Sequence, residues 1–270
     1  MESRPTEGEE LMAWRQPFWL AFGVFAQLLF ALTVCRLFPF LRGEAYFQGL
    51  ASPAPGQARY WFLADGLLAL QFAVVHSVLL LPAVRSRLAR WVPSALYGCL
   101  FCVATCVCLL TAMELWQPSP FALWRLQGAA AKGVDALFLL SWVALLYSLY
   151  LTGLGYQTGL TPFLAWARGR SVPKREFAPR GAYRYLRHPV YLSFLGLIWF
   201  NPVMTLDRLT LAVAWSAHIF IGSYLKDRRL VHYIGDQYRS YQRRVPGYPF
   251  IPYGPLARHK PAAAPAEAPA

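Results

Sequence analysis

The chain has 270 residues, 57% hydrophobic and only 14% charged, with a formal net charge of +13. Apolar runs separated by basic loops predict a polytopic membrane protein. The positive charge does not indicate nucleic-acid binding, since no zinc-finger spacing or helix-turn-helix pattern accompanies it.

In chain order, residues 1–17 are read as a cytoplasmic tail. Glu2, Glu7, Glu9 and Glu10 make its start acidic, unlike the basic opening of a cleavable signal peptide, so the first apolar segment is expected to stay. Six apolar stretches follow, at 18–35, 66–84, 96–115, 134–158, 190–203 and 209–225. A membrane helix needs about 17–25 residues, which the first four and the sixth supply and 190–203 does not. The break from Asn201 to Asp207 reads as a tight hairpin turn, so the last two stretches form a thin pair of spans or a re-entrant hairpin. The expected fold is therefore all-α, with four long spans and a C-terminal helical hairpin.

Beyond the sixth stretch, Lys226 to Tyr233 continue as an amphipathic helix. Gly235 breaks it, and a second short helix carrying Tyr238 and Tyr241 ends at Pro246. The tail at 256–270 is poor in large apolar residues and is expected to be disordered. Residues 18–255 are read as one membrane domain.

Orientation follows from charge. Placing both termini, the loop with Arg85, Arg87 and Arg90, and the 159–189 loop on one side gathers 20 of the 26 Lys and Arg there. The positive-inside rule makes that side cytoplasmic. Trp14, Trp19, Trp61, Trp91, Trp116, Trp124 and Trp166 fall at span edges and read as an interfacial belt. Asp65 and Asp135 read as interfacial too. Cys99, Cys102, Cys106 and Cys108 read as small packing residues rather than metal ligands, and His76 and His218 as polar packing groups within spans.

The richest stretch is Arg187-His188-Pro189-Val190-Tyr191, where a basic, aromatic approach meets an apolar segment. Proline suits the first turn of a helix, where its missing N–H would have had no partner. A helix start with two cationic donors beside it suits an anionic group. The plainer reading is a basic collar at the membrane surface.

The order Gly181-x-Tyr183-x-Tyr185-x-Arg187-His188-Pro189-x-Tyr191, an apolar hairpin, then Leu230, Gly235, Tyr238-x-x-Tyr241 and Val245-Pro246 resembles the isoprenylcysteine carboxyl methyltransferase superfamily. Within it, the nearest likeness is to the NnrU-like branch that includes methanethiol S-methyltransferase. The resemblance is strongest over 179–246. It implies an integral membrane enzyme, of the bacterial inner membrane, that binds S-adenosyl-L-methionine at its cytoplasmic face and methylates a small thiol or lipophilic acceptor. Carried onto this chain, it implies a cofactor region with Tyr183, Arg187, His188, Pro189, Tyr191, Asp227, Tyr238 and Tyr241. In that reading Arg187 meets the cofactor carboxylate, the tyrosines border its adenine or sulfonium, and Asp227 meets its ammonium while Lys226 turns toward lipid headgroups. The chain departs from the family at Ser193, where glycine is usual, and at Lys226-Asp227, where two glutamates are usual. A non-catalytic membrane protein on the same scaffold, structural or accessory to nitrogen-oxide metabolism, is the alternative.

Overall fold

A computed structural model describes residues 7–43, 61–174 and 176–258. Among these residues the fold is all-α apart from one short ladder. Helix α1 runs Glu7–Arg42, α2 Trp61–Leu79, α3 Pro82–Leu88, α4 Tyr97–Leu115 and α5 Gly128–Thr152. The short α6 (Leu154–Gln157) and α7 (Leu160–Ala167) follow, then α8 Pro189–Trp199, α9 Leu206–Ile234 and α10 Asp236–Arg244. Among the described residues, four segments are long and apolar enough to cross a membrane: Gln16–Arg42, Phe62–Leu79, Ser94–Leu115 and Gly128–Thr152. Helix α9 has the length, at 29 residues, but is not among them. Ser216, His218 and Ser223 dilute its apolar middle, so the sixth stretch meets the length criterion alone.

The chain divides into two compact units. The first takes in α1 to α4, α6, α7 and residues 203–214. Its α4 packs along both α1 and α2, around Ala26, Leu96, Cys99 and Phe163. Close packing here needs bare backbone: a Cβ on Gly98 would sit 2.7 Å from the Cα of Gly159. The cysteines of α4 are buried, and Cys99 Sγ donates to the Gly159 carbonyl at 3.6 Å, a packing role. His76 packs its ring against Phe72 and Phe101.

Three expectations are corrected in this unit. Residues 203–205 are not part of a bare turn. They form strand β2 (Val203–Thr205), antiparallel to strand β1 (Ala122–Arg125) in the register Trp124↔Met204 and Arg125↔Val203. Val203 and Thr205 favour extended backbone, and Met204 between them is fully buried. Trp116 is no belt residue: it is buried, and its indole N–H donates to Asp207 Oδ2 at 3.1 Å. Asp65 is likewise buried rather than interfacial, its Oδ1 accepting the Gln117 backbone N–H at 3.0 Å. Together with the Ser119 N–H on Asp207 Oδ1 at 2.9 Å, these carboxylates hold the 116–119 backbone, whose donors no helix or ladder satisfies.

The second unit takes in α5, residues from 176 to 202, and the chain from Trp215 onward. Trp199 at the end of α8 donates its indole N–H to Ser216 Oγ of α9 at 3.0 Å, closing the helical hairpin. Helix α10 is amphipathic but does not lie free on a surface. Tyr238, Tyr241 and Val245 form a buried cluster with Phe177, Leu230, Val231 and Ile234.

Candidate functional site

Helix α8 begins where the sequence places it, with Pro189 in the first turn. Immediately before it, the Arg187 backbone N–H donates to the Pro246 carbonyl at 2.9 Å. The Arg187 side chain is fully buried. Its Nη1 donates to the carbonyls of Val245 at 2.9 Å, Ala257 at 3.2 Å and Gln242 at 3.3 Å, and its Nη2 to that of Pro255 at 3.3 Å. The same Nη2 lies 3.0 Å from Asp227 Oδ2. A planar guanidinium with five donors can serve so many acceptors at once; an ammonium cannot.

Asp227, on the inner face of α9, anchors the cluster. Its Oδ1 accepts the Tyr238 hydroxyl at 2.5 Å and lies 3.2 Å from His188 Nε2. That last contact is too oblique to count as a full hydrogen bond. Burial pushes the Asp227 carboxyl upward, but His188, Arg187 and Tyr238 together outweigh it and hold the group below the usual carboxylate range. Burial likewise pushes the His188 imidazole down, more than Asp227 raises it, so the ring is neutral at neutral pH. Burial drives the Tyr238 and Tyr241 hydroxyls up, which keeps both as donors.

The structure therefore joins Arg187, His188, Asp227 and Tyr238 in one buried cluster. Tyr191 stacks on His188 with ring centroids 5.5 Å apart. Tyr241 donates to the Tyr183 backbone carbonyl at 2.5 Å, so Tyr183 enters through its main chain. Phe177 meets Tyr238 and Tyr241 edge-on, each at 5.4 Å.

Several assigned roles differ from expectation. Both terminal nitrogens of Arg187 are engaged within the protein, and so is the Asp227 carboxylate. The hydroxyls of Tyr238 and Tyr241 are engaged by Asp227 and the Tyr183 carbonyl. Lys226 does not turn away: its ammonium lies 4.9 Å from the centre of the Tyr191 ring. Ser193, in the usual glycine position, is buried and returns its hydroxyl to the Pro189 carbonyl at 2.9 Å.

Sequence reasoning missed the C-terminal segment. The expected disordered tail starts too early, because Leu256 and Ala257 are buried; from 259 on it lies outside the described residues. Tyr248 packs on His188 at 5.6 Å and shares a 2.5 Å hydrogen bond with Ser223. Gly247 lies against the cluster: a Cβ there would meet the Leu256 carbonyl oxygen at 2.5 Å and His188 Cδ2 at 3.2 Å. Gly247-Tyr248 and the lone Leu256 in a Pro/Ala-rich stretch were the available signals.

The chain is 30% identical over 230 residues to a methanethiol S-methyltransferase of a Pseudomonas species, covering 84% of this chain and 87% of that protein. It belongs to the methanethiol S-methyltransferase family. The Mycobacterium tuberculosis member is 31% identical over 176 residues, 64% of this chain and 72% of that one. Nurim of Xenopus laevis is 29% identical over 187 residues, 66% of this chain and 62% of its own. No family model and no solved structure matches.

A methyltransferase of this family needs a methyl donor, and the cluster's chemistry bears on whether it fits S-adenosyl-L-methionine. Arg187 Nε and both ring nitrogens of His188 are buried and make no full hydrogen bond among the described residues. A buried donor left unpaired is costly, and Arg187 Nε–H suits a carboxylate oxygen. The Tyr191 ring already attracts a cation, as a sulfonium or ammonium would require. The donor set fits the cofactor on these two counts.

Proposed function

We propose that this integral membrane protein is an S-adenosyl-L-methionine-dependent methyltransferase acting on a small thiol such as methanethiol, with a lipophilic acceptor as the broader class. The observation that carries the proposal is the 30% identity to a methanethiol S-methyltransferase over 84% of the chain. The cofactor would supply an electrophilic methyl group. Arg187 would hold its carboxylate end through Nε–H, Tyr191 would offer its ring to positive charge, and Asp227 would keep Arg187 and His188 in register. Methyl transfer is an in-line displacement, so the protein contributes mainly by positioning the acceptor and excluding water. The active face is proposed to be cytoplasmic, with both termini on that side of a bacterial inner membrane.

The test uses the purified full chain in detergent with methanethiol and S-adenosyl-L-methionine, reading dimethyl sulfide in the head-space, beside calorimetry of the cofactor alone. Dimethyl sulfide with cofactor binding is expected. Absence of both favours the second reading, a non-catalytic protein on this scaffold. That alternative draws on the internal satisfaction of Arg187 and Asp227, whose charges already neutralise each other at 3.0 Å.

A further inference from the structure

We infer that His188 is the general base of the reaction, taking the thiol proton at Nδ1; the inference rests on the proposed thiol methyl transfer. Its basis is a lone pair placed by elimination. Asp227 is ionised and can only accept hydrogen bonds. The imidazole nitrogen facing it, Nε2 at 3.2 Å from Oδ1, is therefore the one that carries hydrogen. A neutral imidazole has one N–H, so Nδ1 holds the lone pair. That atom is buried and, like Nε2, makes no full hydrogen bond among the described residues.

The surroundings suit the task. A carboxylate on one ring nitrogen and an open lone pair on the other is the arrangement by which a base is oriented and its protonated form stabilised. The charged and titratable groups around the ring are Asp227 and Lys226 from α9, Arg187 from the preceding residue, Tyr191 from α8, Tyr238 from α10 and Tyr248 from the C-terminal segment. Lys226 brings positive charge to the ring that stacks on His188, which favours a thiolate over a thiol. A thiolate is the nucleophilic form, and an alkyl thiol is mostly protonated at neutral pH. In the step, the S–H bond breaks and its proton goes to His188 Nδ1. The freed sulfur pair forms the new S–C bond to the methyl group. The methyl group's former S–C bond breaks and its electron pair stays on the donor sulfur. His188, now cationic against Asp227, then releases the proton to water.

Two measurements test this. Nitrogen-15 spectra of the wild-type chain report the histidine tautomer without turnover. The His188 signal is assigned by replacing the other four histidines. Hydrogen on Nε2 with a bare Nδ1 at neutral pH is expected, and an Nδ1–H tautomer overturns the inference whatever the activity. The second compares thiols: His188→Gln should lower kcat/KM by about 100-fold or more for an alkyl thiol but by less than about tenfold for an aromatic thiol already ionised at the assay pH. Equal losses for both overturn the base role. If His188→Gln does not fold, the wild-type pH profiles decide: the alkyl-thiol profile should show a limb for His188 that the ionised thiol lacks, and identical profiles overturn the role. A wild type that methylates no thiol, with the expected tautomer, overturns the thiol reading and the base role with it, while leaving the ring geometry established.

Discussion

The ammonium of Lys226 stands 4.9 Å from the centre of the Tyr191 ring, over the aromatic surface proposed to receive the positive part of the cofactor. A cation–π contact contributes about 0.5–2 kcal/mol. Lys226→Gln should free the ring and raise affinity for S-adenosyl-L-methionine about 2- to 30-fold, read by calorimetry. A fall in affinity would instead assign Lys226 to the cofactor carboxylate.

Arg187 is tied to Gln242, Val245, Pro255, Ala257 and Asp227, so its replacement should affect more than ligand affinity. Arg187→Ala leaves a buried carboxylate without its cation, a change that typically costs about 3–5 kcal/mol. Arg187→Lys keeps the charge but loses the planar fork, and its loss should be smaller yet measurable. Thermal unfolding in detergent should rank wild type above Lys above Ala. Equal melting temperatures would show that these bonds add nothing to stability.

Acid should weaken the fold in two stages. The His188 imidazole is held below its ordinary value by burial, so its contribution is complete above about pH 6.5 and is lost as pH falls from there through the folded value. The Asp227 carboxyl is also held low, so its contribution is complete above about pH 3.9 and is lost as pH falls through its own depressed value. Melting temperature should therefore fall as pH drops below about 6.5, and His188→Gln should flatten that first decline. An unchanged slope in the variant would move the titration to another group.

How much of this was legible depended on distance along the chain. The start of α8 was readable because Arg187, His188 and Pro189 are adjacent and conflict with the apolar run after them. The partnership of Arg187 with Asp227 was not, since nothing local says which side of α9 faces inward. The β1–β2 ladder was invisible because strands of four and three residues are too short to show alternation. Helix α1 runs past its expected ends at both sides because hydrogen bonding continues where hydropathy stops, through Arg36, which pairs with Glu114. Tyr238-x-x-Tyr241 was legible as a motif, but the hydroxyl partners, Asp227 and the Tyr183 carbonyl, are not encoded in its spacing.

The proposed orientation is checked by reporter fusions. A fusion at Gly128, the first residue of α5, should report the side opposite the cytoplasm, and one at Arg258 should report the cytoplasm. Matching signals at the two positions would overturn it.

Arg187 takes a carbonyl from Ala257, 70 residues further along the chain. During synthesis, the helices that enter the membrane are made well before that acceptor leaves the ribosome. For that interval a guanidinium at the start of α8 lacks the partners that later enclose it, and the site is completed once Ala257 has been made. A chain stopped at Pro246 would keep every apolar helix and Asp227, yet would lack two of the four carbonyls on Arg187. Insertion of such a product would therefore say nothing about whether its site is complete.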